Sequence, residues 1–212
     1  MAEIQQYIQL KIIMVGAMSV GKTSLITKYA TGKMPSETKT TKNASYISKI
    51  KIKNNLKFEI RIWDTAGQEK YKSLTKLFTK DAKIAILVYS IDSEDSFNQL
   101  DEWLSLVKSS NEEHLILGVA ANKSDLISNQ KVSEEKGKEY AAKIGAIWKS
   151  TSALSDDGCF DDLIDMLFNK YYDNNFNYET TNSQVSQSLL LSMEENKKGG
   201  CCGGKSVHHK KK

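Results

Sequence analysis

The sequence predicts an α/β fold in which a six-stranded, mostly parallel sheet carries helices on both faces and one antiparallel hairpin at its edge. Short β-type runs alternate along the chain with segments of helical spacing, which is typical of open parallel sheets. The runs 84–91 and 115–121 are continuously apolar, as central strands covered on both faces should be. Ligands bind such folds at the carboxyl ends of the strands, so we expect a site in the loops after residues 15, 63, 121 and 149.

The remaining strands are predicted from apolar runs and from alternation. The apolar run 10–15 ends at a glycine, and 146–149 is the last candidate strand. The segment 46–63 alternates apolar and charged residues on both sides of Asn54 and Asn55, which indicates an edge hairpin. Its first half puts two isoleucines on one face and three lysines on the other, and its second half repeats the pattern: Ile50 and Ile52; Lys49, Lys51 and Lys53; Phe58, Ile60 and Ile62.

Five helices are expected between and after these strands. Apolar residues recur at helical spacing in the third, and Ser133 stands where a helix N-cap is preferred. The predicted helices cover 22–31, 70–80, 95–109, 133–144 and 159–172.

Composition and charge divide the chain into a folded domain and a tail. The 212 residues carry a formal charge of +4, yet 197–212 hold six lysines and no acid, so the rest is slightly acidic. This argues against a nucleic-acid-binding face and for a tail that meets an anionic partner. We therefore expect a domain over 1–174 and a flexible, Lys-rich tail over 175–212. No apolar run is long enough for a membrane helix or a signal peptide, so a cytoplasmic location is expected.

The loop after the first strand has the pattern of a phosphate-binding loop. It reads GAMSVGKT and fits G-x-x-x-x-G-K-[ST] between a strand and a helix. Glycine lets backbone N–H groups approach phosphate oxygens, and the helix N-terminus adds positive partial charge. Lys22 is predicted to reach the β- and γ-phosphates and the Thr23 hydroxyl to ligate Mg²⁺. The residues expected to bind nucleotide here are Gly16, Ala17, Met18, Ser19, Val20, Gly21, Lys22, Thr23 and Ser24.

The loop after the hairpin reads DTAGQE and completes the expected phosphate and metal site. Asp64 is placed to support Mg²⁺ through water, Gly67 to bring its N–H to the γ-phosphate, and Gln68 to orient a water. This short pattern is weak alone and strong beside a phosphate-binding loop.

Two later loops predict recognition of guanine. In NKSD, the Asp125 carboxylate can accept hydrogen bonds from guanine N1 and its exocyclic amine, a donor pair that adenine lacks. Asn122 opens this loop, and the Lys123 stem can lie along the base. The loop after 149 reads TSAL, where Ser152 and Ala153 can meet the guanine O6 and Leu154 follows.

These four loops, in this order, resemble those of small GTPases of the Ras superfamily and, more narrowly, of the Rab family. The segments FEIRIWDTAGQEKYKSLTKLFTKDA, LVYSIDSEDSFNQLDEWL and KSTSALSDDG are similar to Rab sequences. The resemblance implies a P-loop GTPase fold over about 9–172 and a monomeric, Mg²⁺-dependent switch that cycles between GTP and GDP. It also implies effectors, an exchange factor, a GTPase-activating protein and a dissociation inhibitor or escort protein, acting in membrane traffic on the cytosolic face of an endomembrane.

The first switch departs from the family pattern. Rab proteins place a Mg²⁺-binding threonine before Ile-Gly, whereas this chain reads TKTTKN; Thr41 is the best match by its distance to Tyr46, and Thr40 is an alternative. With Lys22 and Gln68, Thr41 completes the expected catalytic set. Met18 in place of a small residue and the single arginine, Arg61, which we expect to point to solvent, predict slow hydrolysis without an activating protein. Leu154 stands where the family usually has lysine.

Two other hypotheses are compatible with the sequence. One is a nucleotide-holding interaction protein with little or no turnover, favoured by Met18 and the unusual first switch. The other is an ATP-dependent P-loop enzyme, against which NKSD argues.

The tail ends in KKGGCCGGKSVHHKKK, with adjacent cysteines Cys201 and Cys202. A disulfide between neighbours does not suit the cytosol, and two thiols with two imidazoles make a poor zinc site. The family resemblance implies two geranylgeranyl chains here, and two chains plus lysines give stable anchoring. Ten residues follow the pair, unlike in the family, and palmitoylation, lysine-driven attraction and no attachment stay open.

Overall fold

The computed structural model describes residues 7–35, 45–65, 78–111, 115–155 and 158–176. Within them a six-stranded sheet has the order β2-β3-β1-β4-β5-β6. Only β2 and β3 pair antiparallel, so the predicted mostly parallel sheet with an edge hairpin is confirmed. The strands are β1 Ile8–Val15, β2 Ser45–Lys53, β3 Leu56–Asp64, β4 Ile84–Ser90, β5 Ile116–Asn122 and β6 Ile147–Ser150.

The helices of the described residues fall close to the predicted ones. They are α1 Lys22–Thr31, α2 Glu94–Asn98, α3 Leu100–Ser109, α4 Glu134–Ile144 and α5 Cys159–Phe176, with a 3-10 segment at Ser124–Asn129. Ser133 caps α4, since its Oγ accepts a 3.2 Å hydrogen bond from the Lys136 N–H. The predicted helix 95–109 is two helices, because Gln99 has ψ −6°, away from the helical value. Most of the predicted helix 70–80 lies outside the described residues.

The chain divides into two compact units, Met1–Tyr171 and Tyr172–Lys212. The first contains the whole sheet. The described part of the second is the end of α5, where the rings of Tyr172 and Phe176 stack with centroids 5.4 Å apart. The predicted domain boundary after residue 174 stays a prediction.

Two apolar cores cover the faces of the sheet. On one face α3 packs with fully buried Trp103 and Val107 against alternate residues of β1 and β4. On the other face Phe58 of β3 meets Phe168 of α5 edge to face, with centroids 5.1 Å apart. Covered on both faces, β4 and β5 are buried along their whole length, which explains their continuously apolar sequences.

The edge strand β2 turns its lysines, not its isoleucines, toward the helices. Lys49 and Lys51 pair with Ile60 and Phe58 of β3 and so share their buried face. Lys51 forms an ion pair with Asp165 of α5, and the Lys49 Nζ lies 3.6 Å from the ring centroid of Tyr29 in α1. The predicted separation of isoleucines and lysines on opposite faces of β2 is confirmed. The isoleucine face of β2, however, does not lie beside the apolar face of β3, and Ile50 and Ile52 are 53% and 63% exposed.

Among the described residues, no helix has the length and apolar character that crossing a membrane would require.

Candidate functional site

The first loop of the site needs glycine at two positions. Gly16 has φ +149°, and a Cβ there would lie 2.1 Å from the carbonyl oxygen of Val88 in β4. Gly21 has φ +94°, and a Cβ there would lie 2.3 Å from the Nδ2 of Asn122 in β5. The loop between β1 and α1 therefore fits closely against the ends of two neighbouring strands, and any larger residue would displace it.

Lys22 begins α1 and lies inside this loop. Its side chain is 6% exposed, and its ammonium donates 2.8 Å hydrogen bonds to the carbonyl oxygens of Gly16 and Ala17. Burial lowers the pKa of Lys22 to about 8, although the negative charge of Asp64 partly opposes this shift. A buried ammonium beside the backbone N–H groups of a helix N-terminus is suited to binding phosphate.

Thr23 and Asp64 meet next to this lysine. The Thr23 Oγ1 donates a 2.7 Å hydrogen bond to the Asp64 Oδ2 at the end of β3. A hydroxyl and a carboxylate are the hard oxygen donors that Mg²⁺ prefers, and Mg²⁺ is commonly held by one or two such groups together with substrate phosphates. The donor set at this position thus fits the predicted metal.

The other predicted residues of the loop divide by exposure. Ala17, Val20 and Ser24 are buried, whereas Met18 is 50% exposed and Ser19 has a left-handed φ of 63°. Met18 therefore presents its side chain at the open side of the loop.

Asn122 links the phosphate loop, Gly16–Ser24, to the base loop, Asn122–Asp125. It is 1% exposed, and its Nδ2 donates a 2.7 Å hydrogen bond to the carbonyl oxygen of Val20. Its Oδ1 accepts a 3.3 Å hydrogen bond from the Thr151 hydroxyl. Asn122 thus fixes the loops after β1, β5 and β6 relative to one another.

The predicted guanine-recognising residues come together at the ends of β5 and β6. The Ser152 hydroxyl donates a 2.5 Å hydrogen bond to the Asp125 Oδ1 and accepts one of 3.0 Å from the Leu154 N–H. Ala153 is buried, and Leu154 is 63% exposed. The Asp125 carboxylate is therefore oriented by a side chain of the neighbouring loop, which suits it to selective recognition of a base.

The sequence of the chain is similar to those of known proteins. The chain matches the Ras family over residues 11–182. It is 34% identical to Ras-related protein Rab-21 of Geodia cydonium, over 76% of this chain and 71% of that protein. It is also 34% identical to human Ras-related protein Rab-31, over 68% of this chain and 74% of that one, and 36% identical to RabJ of Dictyostelium discoideum, over 70% and 58%.

The chain belongs to the Rab family of the Ras superfamily. It is a Rab-like small GTPase, a GTP-binding hydrolase, and the six-stranded sheet is that of the P-loop GTPase fold.

Several predicted residues of the Rab site lie outside the described residues. These are Thr40, Thr41, Gly67, Gln68, Cys201 and Cys202. Their assignment rests on sequence and family resemblance.

Two further residues at the candidate site were not predicted from the sequence. Thr65, 1% exposed, donates a 2.6 Å hydrogen bond from its Oγ1 to the carbonyl oxygen of Met14 and so fixes the start of the loop after Asp64. Thr151 contacts Asn122 as described above. Thr65 directly follows the predicted residue Asp64, and Thr151 directly precedes the predicted residue Ser152. Their positions next to these residues could have indicated them from the sequence.

Proposed function

We propose that this Rab-like GTPase binds GTP and GDP with Mg²⁺ at the loops after β1, β3, β5 and β6, and switches between two nucleotide states. The observation that carries the proposal is the meeting of a buried Lys22 with the Thr23–Asp64 pair, 2.7 Å apart, at one end of the sheet. A cation, a hydroxyl and a carboxylate in this arrangement suit a nucleotide polyphosphate and its metal.

The phosphate contacts come from the loop Gly16–Ser24. Its backbone N–H groups surround the phosphates, and the Lys22 ammonium pairs with the β- and γ-phosphate oxygens. The Thr23 hydroxyl and Thr41 would hold Mg²⁺, and Asp64 would support it through water. When bound, Mg²⁺ supplies positive charge that offsets the charge of the β- and γ-oxygens during transfer.

Hydrolysis is assigned to a water oriented by Gln68. The oxygen of this water attacks the γ-phosphorus, and the bond from this phosphorus to the β–γ bridging oxygen breaks. One proton of the water passes to the released phosphate, so that the products are GDP and inorganic phosphate. The Gly67 N–H and Thr41 contact the γ-phosphate, so their loops respond to its presence or loss, which is how two states present different surfaces to effectors.

Guanine specificity is assigned to Asp125, held by Ser152. The carboxylate accepts from guanine N1 and the exocyclic amine, while the Ala153 backbone meets O6 and the Lys123 stem lies along the base. An adenine in this place would leave the carboxylate unpaired, which is costly.

We infer a slow basal rate that an activating protein raises. Arg61, the one arginine of the chain, donates a 2.7 Å hydrogen bond to Glu59 and one of 3.2 Å to Gln9. The Arg61 guanidinium is thus bonded to side chains of β3 and β1. An arginine that stabilises the transition state would therefore come from a partner protein, and it would raise the hydrolysis rate by about 10³–10⁵.

Met18 is proposed to slow hydrolysis further by crowding Gln68 and its water. Single-turnover hydrolysis by Met18→Gly tests this point: we expect a faster rate than wild type, and an unchanged rate would remove the idea.

Membrane attachment is assigned to the tail. We propose that Cys201 and Cys202 carry prenyl chains, with the six lysines of 197–212 attracted to anionic lipid on the cytosolic face of an endomembrane. Vesicle-traffic effectors, an exchange factor and an escort protein are the partners proposed with it. Mass spectrometry of the protein from its native cell would decide: prenyl adducts support the assignment, and unmodified cysteines with an intact C-terminus reject it.

Multiple-turnover GTP hydrolysis, with and without a cell extract that supplies activating protein, tests the proposed function. We expect slow, Mg²⁺-dependent phosphate release that the extract accelerates, and loss of the acceleration in Gln68→Leu. Tight nucleotide binding with no turnover under either condition would instead indicate an interaction protein.

A further inference from the structure

Asp92, in the turn after β4, contacts the lysine of the base loop. Its Oδ1 lies 3.8 Å from the Lys123 Nζ, and the two side chains are 29% and 33% exposed. The same Asp92 oxygen accepts a hydrogen bond from the Ser90 hydroxyl at the end of β4. The Asp92 carboxylate is therefore held by the Ser90 hydroxyl and at the same time attracts the Lys123 ammonium.

The turn that carries Asp92 is itself held in place. Ser90 is 1% exposed, and its N–H donates a 3.0 Å hydrogen bond to the Ser96 Oγ in α2. Ser93 caps α2, since its Oγ accepts from the Ser96 N–H. A carboxylate on such a turn has a defined position before any ligand binds.

Backbone hydrogen bonds tie the same turn to the start of the base loop and to the chain after the 3-10 segment. The Ile91 N–H donates to the Asn122 carbonyl at 3.0 Å, and the Ile91 carbonyl accepts from the Lys131 N–H at 2.8 Å. Asp92 thus keeps a fixed distance from the start of the base loop, where Lys123 has a left-handed φ of 62°.

We propose that Asp92 is a positioning residue of the guanine site. A lysine side chain has many rotamers, and ordering it on binding costs conformational entropy. By attracting the Lys123 ammonium, Asp92 keeps the lysine stem extended and ready to lie along the base, so that part of this cost is met before the nucleotide enters. This inference rests on the proposed function, since it concerns the same nucleotide.

The rate of GDP release from the full-length, Mg²⁺-loaded protein tests it. Asp92→Asn keeps the shape and removes the charge, and we expect GDP to leave about 2- to 5-fold faster, the range for a partly exposed ion pair. Asp92→Glu, which restores a carboxylate, should bring the rate back toward wild type. Asp95→Asn, the same change at an exposed position of α2, is the matched control and should leave the rate unchanged.

A second background separates positioning from a general structural role. Lys123→Met keeps the apolar stem and removes the ammonium, so adding Asp92→Asn to it should cause no further acceleration. An unchanged rate in Asp92→Asn, or the same acceleration with and without the Lys123 ammonium, would overturn the proposal. Wild-type protein that releases GDP as fast as ADP would overturn the proposed function together with it.

Discussion

The side-chain amide of Asn122 donates a 2.7 Å hydrogen bond to the carbonyl oxygen of Val20, 102 residues earlier in the chain. This contact joins the loop that we assign to the base with the loop that we assign to the phosphates. The Gly21 backbone lies so close to the same amide that a Cβ there would be 2.3 Å from it. The phosphate loop and the base loop are therefore structurally coupled, and a substitution that disrupts one of them should also affect the other.

Asn122→Ala should speed GDP release roughly 5- to 100-fold, because a buried carbonyl is left without its donor at a cost of about 1–3 kcal/mol. Release of a fluorescent GDP analogue measures it. Asn111→Ala is the control: its Nδ2 bonds the Thr79 and Val107 carbonyls, away from the site, so it should lower the free energy of unfolding and leave GDP release unchanged. Equal effects of the two changes on GDP release would contradict the link.

Nucleotide affinity should fall as pH rises through about 8, where burial places the pKa of Lys22. The sign follows from linkage: phosphate favours protonated Lys22, so its pKa is higher in the complex than in the free protein, and binding takes up a proton above pH 8. The dissociation constant for GDP should be flat below this pH and increase by up to about tenfold per pH unit above it. Lys22→Met should bind more weakly, with this pH dependence gone. A wild-type affinity that stays constant well above pH 8 would show that Lys22 does not set it.

Asp125→Asn should exchange guanine for xanthine nucleotides. The amide offers a donor where the carboxylate offered only acceptors, and xanthine has a carbonyl where guanine has its exocyclic amine. Competition for the site by GDP and by xanthosine diphosphate measures the change, and the expected loss of GDP affinity is at least about 10²-fold. Retained GDP affinity in Asp125→Asn would remove this residue from base recognition.

Gly137→Ala in α4 should destabilise the protein by about 1–3 kcal/mol through overpacking. A Cβ at this position would lie 2.3 Å from the Tyr89 Oη and 2.7 Å from the Trp148 Nε1. Urea unfolding of the GDP-bound protein measures the cost. In a Tyr89→Phe background the hydroxyl is gone and the cost of Gly137→Ala should shrink, so strictly additive costs would contradict the contact.

Much of the site could be predicted because its requirements are local. Gly16 and Gly21 have a positive φ and lie so close to neighbouring strands that only glycine fits at either position. Lys22 and Thr23 follow Gly21 directly, as the motif requires. The strand ends were predictable for a similar reason, since continuous apolar runs mark strands that are covered on both faces.

The burial of β2 could not be predicted in the same way. The alternation of apolar and charged residues showed that β2 has two different faces. Which face is covered depends on the helix that packs against this edge strand. Asp165 of α5 pairs with Lys51, and the Lys53 Nζ donates a 2.8 Å hydrogen bond to the Asn169 Oδ1. Distant acidic and amide side chains thus decide that lysine is the half-buried residue and isoleucine the exposed one.

The partners of Arg61 could not be predicted either. As expected, Arg61 lies on the face opposite the buried Ile60 and Ile62, and its partly exposed side chain bonds to two neighbouring side chains. The reason is the register of β1 beside β3, which places Gln9 directly across from Glu59, so that both side chains reach the guanidinium. Such a cross-strand arrangement is not visible in the sequence of one strand.

The proposed function depends above all on guanine-selective binding, which competition between GTP and ATP for the Mg²⁺-loaded protein measures directly. We expect GTP to displace a fluorescent GDP analogue at concentrations at least about 10³-fold lower than ATP does, because adenine would leave the Asp125 carboxylate unpaired. Equal displacement by GTP and ATP would contradict it.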